Sequence, residues 1–185
     1  LIWRITYLTP YRPLSFGSSQ AALALHVLVL MASMMAVVGV LKETGVFTWA
    51  VARMMNRAGG RPLVLLLLIM WFTALLSALA DNVTTVIFVA PMAYQMARTL
   101  GIRPAAFLLP VVIASNIGGT ATLIGDPPNI MIASGAGLSF VDFLVNLTPP
   151  VAVMMLIVPR FAAWYFRRDF AAAAEASAAA PVPPI

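Results

Sequence analysis

A chain of 185 residues that is 62% hydrophobic and only 9% charged carries more apolar surface than a soluble core of that size can hide, since soluble domains are roughly a quarter charged. The mean hydropathy of +0.98 points to lipid as the natural solvent. The net charge of +5 does not mark a nucleic-acid binder, because its Lys and Arg residues fall in short segments between apolar stretches and form no basic stripe with interleaved aromatics; the absence of cysteine excludes disulfides and thiolate metal sites.

Residues 1–20, with Arg4, Arg12 and Pro13, read as a connecting segment. The first fifteen residues lack the pattern of a signal peptide. A first membrane span follows at 21–41 and stops at Lys42-Glu43-Thr44-Gly45; about 20 residues suffice to cross the hydrocarbon. Residues 46–57 predict a short amphipathic helix. Phe47, Val51 and Met54/Met55 share a face, Arg53 and Arg57 are four apart, and Phe47 and Trp49 are expected at headgroup level. Gly59-Gly60-Arg61-Pro62 ends it and starts the next element.

Two apolar arms, 63–80 and 83–97, flank Asp81-Asn82. They predict a helical hairpin with a polar tip; length alone does not separate a re-entrant hairpin from two full crossings. The stretch 104–134 would be about 46 Å long as one helix, beyond the roughly 30 Å core. It is interrupted by Asn116-Ile117-Gly118-Gly119 and by Gly125-Asp126-Pro127-Pro128, so a discontinuous helix is expected. Asp142 and Asn146 are expected in a loop, Thr148-Pro149-Pro150 as the opening of a last span at 149–166, and Arg167-Arg168-Asp169 as its close. Residues 169–185 read as an Ala/Pro-rich linker or tail. Starting at Leu1 and ending in that tail, the chain reads as a piece of a longer protein.

With 21–41 running outside to inside, Lys42, Arg53, Arg57, Arg61, Arg98, Arg103, Arg167 and Arg168 all fall on the cytoplasmic side, against Arg4 and Arg12 outside. Arg160 lies within the last span and is expected to snorkel. A multi-pass cell-membrane protein with a cytoplasmic C-terminal tail is the expectation.

Two polar clusters carry the chemistry. The first, Ser77 to Thr85, holds Asp81. A charge at membrane depth is costly, so Asp81 is expected to face protein, water or an ion. It can cap the second arm of the hairpin, and Asn82, Thr84 and Thr85 add neutral oxygens of the kind hard cations prefer. A capped turn between ordinary spans is the structural alternative. The second cluster, Ser115 to Asn129, contains Asn116, Gly118, Gly119, Thr120, Thr122, Gly125, Asp126 and Asn129. Its glycines free the backbone and its prolines forbid a continuous helix. Unwound backbone in a bilayer must be buried or line a cavity. The half-helix N-terminus favours an anion and the freed carbonyls favour a cation; the structural alternative is a proline kink. Two interrupted segments near one another point to a transporter site at the bilayer midplane. His26 reads as a polar residue on a helix, and the Met pairs as packing. No HExxH, GxSxG or cysteine nucleophile supports an intramembrane enzyme.

Three runs, Gly39 to Phe47, Ser77 to Thr85 and Ala114 to Asn129, resemble the ion transporter superfamily. The branch they resemble groups arsenite permeases, NhaD-type sodium/proton antiporters and the melanosomal P protein, with a citrate-transporter-like domain, and the likeness covers residues 20–168 as an N-terminal half. It implies an all-α polytopic membrane protein that is one half of an inverted-repeat transporter, with a re-entrant hairpin and a discontinuous transmembrane helix. It further implies a homodimer, a second inverted repeat to complete the site, and Na+ or H+ as coupling ion with no other cofactor. Related dicarboxylate transporters place Ser-Asn-Thr at the hairpin tip, where this chain has Asp81-Asn82-Val83 and then Thr84. That departure favours the antiporter or permease branch. The expected function is alternating-access transport of a small ion, by arsenite or anion efflux or by Na+/H+ exchange. An organic-anion (citrate or dicarboxylate) transporter, a channel on the same fold and an inactive half-transporter remain alternatives. Either Asp81 or Asp126 is expected to carry the coupling proton.

Overall fold

A computed structural model describes residues 18–179. The connecting segment up to residue 17 and the tail from residue 180 lie outside the described residues, as do the side chains of His26, Lys42 and Met34. Among the described residues every regular element is a helix: α1 Ser18–Glu43, α2 Val46–Ala58, α3 Pro62–Leu79, α4 Asn82–Thr99, α5 Ala105–Gly119, α6 Pro127–Ala136, α7 Phe140–Tyr165 and α8 Arg167–Ala179.

The elements start and stop where local chemistry requires. Gly45, at φ 75°, turns the chain between α1 and α2 in the left-handed region that a side chain resists. Pro62 sits at the first position of α3, where its missing N–H costs nothing. Asp81 begins α4, and Asp126-Pro127 begins α6.

α2 is amphipathic as expected, with Arg53 and Arg57 exposed. Its buried face is Phe47, Ala50, Met54 and Ala58. Phe47 is therefore turned inward, stacked on Phe88 of α4 with ring centroids 5.7 Å apart, whereas Trp49 is exposed. One aromatic packs the helix down and the other remains available to a headgroup layer.

The core forms where α5 lies against α3 and α4, with α7 on a further side. Leu65, Leu66, Ile69 and Met70 of α3 meet Val89, Ala93 and Met96 of α4 and Phe107, Val111 and Ala114 of α5. Small residues let helices approach closely, and Gly118 takes this to its limit. A Cβ on Gly118 would stand 2.5 Å from Ala74 Cα and closer still to the Ala74 carbonyl oxygen.

The last part of the chain departs from expectation. The final long helix starts at Phe140, so Asp142, Asn146 and Thr148-Pro149-Pro150 are inside it. Ser139 and Asp142 form a reciprocal capping box at its start, and this local cap outweighs the two prolines a few turns on. A proline deletes one ladder bond but leaves the rest of a long apolar helix intact. Beyond Tyr165 the chain continues as α8 through part of the expected tail. Phe170 is buried edge-on against Phe107, centroids 6.0 Å apart. Arg103 clasps Asp169 with both prongs, Nε to Oδ1 at 2.6 Å and a terminal nitrogen to Oδ2 at 2.9 Å.

Among the described residues α3 and α7 are each long and apolar enough to cross a membrane, and Met35–Leu41 with Val46–Ala58 would add a third as one span bent by 62°. The molecule is an all-α, multi-pass membrane protein.

Candidate functional site

The hairpin tip and the break in the α5–α6 helix meet at one place. α3 ends at Leu79, and Ala80 and Asp81 are extended. Asp81 Oδ1 then accepts the Thr84 N–H at 2.8 Å, the N-cap bond expected from the sequence. The Asn82 N–H donates to the Gly125 carbonyl in the break at 3.1 Å. The Asn82 side-chain amide donates to Asn116 Oδ1 at 3.2 Å. Hairpin and broken helix are thus joined by backbone and by side chain.

Residues 120–126 carry no helix between α5 and α6, yet they are closely bonded. Thr122 Oγ1 donates to the Ala78 carbonyl at 2.5 Å and accepts the Gly125 N–H at 3.1 Å. Asn129 reaches back from α6 and donates to the Gly119 and Thr122 carbonyls at 3.2 and 2.9 Å. The carbonyls of Gly119, Thr122 and Gly125, in and beside the break, each accept a hydrogen bond.

The glycines have a second purpose here. A Cβ on Gly119 would stand 2.7 Å from the Gly125 carbonyl oxygen, and one on Gly125 would stand 2.7 Å from Gly119 Cα and from the Ser77 carbonyl oxygen. Three backbone segments converge more closely than side chains allow.

Against this well-bonded surround, four oxygens stand out. Asp81 Oδ2, Asn82 Oδ1, Thr84 Oγ1 and Thr85 Oγ1 are buried and have no hydrogen-bond partner among the described residues. Asp81, Thr84 and Thr85 are at i, i+3 and i+4, so they share one face of the first turn of α4. Asp81 is 2% exposed and Thr85 fully buried. Most buried polar atoms in proteins are paired, and four unpaired oxygens within five residues make this turn the candidate site.

Of the residues singled out from the sequence, Asp81, Asn82, Thr84, Thr85, Asn116, Gly118, Gly119, Thr122, Gly125 and Asn129 converge here. Thr120 does not: it is exposed and its hydroxyl bonds the Ile117 carbonyl of its own helix. Asp126 occupies the N-cap position of α6 without making a side-chain cap bond. Beside the tip, Asn82, Val83, Val86, Ile87 and Asn116 line an open cleft of about 260 Å³.

Residues 5–180 match the citrate transporter family. The chain belongs to that family. This citrate-transporter-family chain is 47% identical over 156 residues to a "46 kDa membrane protein" of Mycobacterium leprae, covering 84% of this chain and 36% of the relative. It is 45% identical over 149 residues to an "uncharacterized transporter" of Mycobacterium tuberculosis, covering 80% of this chain and 35% of the relative. It is 33% identical over 135 residues to the human "P protein", covering 70% of this chain and 16% of the relative. The chain spans about a third of the length of the mycobacterial relatives. No solved structure matches it.

Two site residues of this family member were not singled out as ligands. Ser77 donates to the Ser115 carbonyl at 2.7 Å, and the Ser115 hydroxyl lies 3.2 Å from Ser77 Oγ and 3.1 Å from the Asn82 carbonyl. Both are fully buried. They form the floor of the tip, holding α3 to α5 directly behind Asn82. Each stands at the start of its polar cluster; a serine in an apolar helix close to a break was the available signal.

Proposed function

We propose that the full-length protein is a secondary transporter that moves a small ion across the cell membrane by alternating access, with its coupling ion, H+ or Na+, bound at Asp81. The observation that carries this reading is the set of four unpaired buried oxygens at the start of α4. Each such atom costs about 1–3 kcal/mol when left unmatched, and a charged one more. A cation offsets that cost by accepting lone pairs from Asp81, Thr84 and Thr85, which share one face. A proton on Asp81 Oδ2 offsets it differently, by turning the carboxyl into a donor for a neighbouring hydroxyl. One carboxylate with neutral oxygens suits a monovalent ion or a proton, because hard divalent ions gather more carboxylates. A proton and a cation would compete for the same carboxylate oxygen, so one site can exchange the two. The working unit would be a homodimer whose chains also carry a second, inverted repeat, with the C-terminal tail cytoplasmic.

A second reading, organic-anion transport, is favoured by the description of the matching family as citrate transporters and by the paired amides of Asn82 and Asn116 at the cleft. Everted vesicles containing the full-length protein and a pH dye discriminate. A sodium-triggered pH change that is lost in Asp81→Asn is expected for cation exchange. Saturable citrate or arsenite uptake with no pH response, unchanged in Asp81→Asn, would replace that reading with a permease in which Asp81 is only a cap. Flux that does not saturate would mark a channel.

A further inference from the structure

The far end of α7 carries a second polar feature, remote in chemistry from the ion site. Arg160, Trp164, Arg167 and Arg168 follow at i, i+4, i+7 and i+8 and are all exposed. The hydrogen bonds from Phe166 to Ala162 and from Phe170 to Phe166 carry the helical path across the junction of α7 and α8, so the four lie on one stripe. We infer that this stripe is a binding site for the phosphate of an anionic phospholipid. The inference rests on the membrane placement of α7 and is independent of the ion assigned to Asp81.

Three observations support it. First, Arg160 is a charge inside an apolar span, and among the described residues its guanidinium bonds only the Leu156 carbonyl of its own helix, at 2.5 Å. Such a charge needs a counter-charge or the headgroup layer. Second, the nearest acidic residue in sequence is committed elsewhere. Both oxygens of Asp169 are bound by Arg103, and among the described residues no ion pair involves Arg160, Arg167 or Arg168. Three guanidinium groups are therefore left for an external anion, and the planar fork of arginine matches phosphate oxygens. Third, the surroundings suit a lipid. The Arg167 guanidinium carbon stands 5.8 Å from the centre of the Trp164 ring, within cation–π range. Trp164 and Tyr165 mark the headgroup level, where such side chains collect. On the side of Arg160 toward the span, Val153, Leu156 and Ile157 continue the same stripe and are exposed, giving acyl chains an apolar track.

The test uses the delipidated full-length protein in neutral detergent, with lipid retention read by native mass spectrometry. Phosphatidylglycerol should be retained and phosphatidylcholine not, and inorganic phosphate should not displace it. Each of Arg160→Gln, Arg167→Gln and Arg168→Gln should weaken retention roughly fivefold, the worth of one basic side chain near an anionic surface. Arg53→Gln with Arg57→Gln on α2 should leave it unchanged. The single variants keep the test available where the triple variant misfolds. Equal retention of phosphatidylcholine, equal loss in the α2 variant, or displacement by free phosphate would overturn the assignment. So would a triple variant that keeps its lipid but changes its oligomeric size, which would give this face to a protein partner.

Discussion

Two helix starts in this protein use the same device to different ends. At the start of α7, the Ser139 hydroxyl and Asp142 carboxylate exchange bonds with each other's backbone N–H groups at 3.2 and 2.9 Å, and Asp142 also accepts the Ser139 hydroxyl proton at 2.7 Å. Both residues are exposed, and the cap is complete. At the start of α4, Asp81 caps with one oxygen and leaves the other buried without a partner, along with those of Asn82, Thr84 and Thr85. A surface cap can finish itself with bulk water; a buried one has no such reserve, and this makes its unfinished half a candidate site. Position in the fold, more than residue type, separates a structural carboxylate from a candidate ion site.

The contrast is open to direct attack. The largest effect is expected from Asp81→Asn. Asparagine caps as well as aspartate, so the thermal unfolding midpoint should hold or rise as a buried charge is removed, while coupled transport in vesicles falls to background. Parallel loss of folding and transport would show that Asp81 is structural. Next comes Gly118→Ala, whose added methyl meets the Ala74 backbone. Overpacking of this kind costs about 1–3 kcal/mol or more, readable as a lowered unfolding midpoint by tryptophan fluorescence. Ser139→Ala should reverse the Asp81→Asn result. It should cost about 1 kcal/mol of stability and leave the transport rate unchanged.

The smallest effect is expected from Arg103→Gln. The partner Asp169 raises Arg103 above its ordinary pKa, first through the hydrogen bond and then through its charge. A raised basic pKa adds stability that is present below the unfolded value and lost only as pH climbs through the folded one. The stability this adds through Arg103 should therefore be flat across neutral pH, and because Arg103 is largely exposed it should fade with added salt. A large loss on Arg103→Gln would mean that α8 is held by this ion pair and not by Phe170 against Phe107.

Much of the architecture was legible because it is written locally. Apolar runs of span length, the Asp81-Asn82 tip, the Gly-Gly and Pro-Pro interruptions and the Gly45 turn each act over a few residues, and a periodic pattern reads them. The start of α7 was misread because two cues competed. Thr148-Pro149-Pro150 looks like a helix start, and Ser139 with Asp142, nine residues earlier, is the one that forms. The helical continuation through Phe170 was hidden in alanine-rich sequence whose tertiary contact, Phe107, lies over sixty residues away.

By itself the sequence determined the class of this protein, its family likeness, its hairpin and its broken helix, because lipid demands long apolar helices and charges any polar interruption a visible cost. Only the tertiary structure decided which polar groups satisfy one another. It gave the Gly119 and Thr122 carbonyls to Asn129 and the Gly125 carbonyl to the Asn82 N–H, gave the Gly125 N–H to the Thr122 hydroxyl, set Ser77 against Ser115, left Thr120 outside, and kept four oxygens at the tip of α4 unmatched. Those pairings depend on how closely three backbones approach at Gly118, Gly119 and Gly125, a distance that no single stretch of sequence contains.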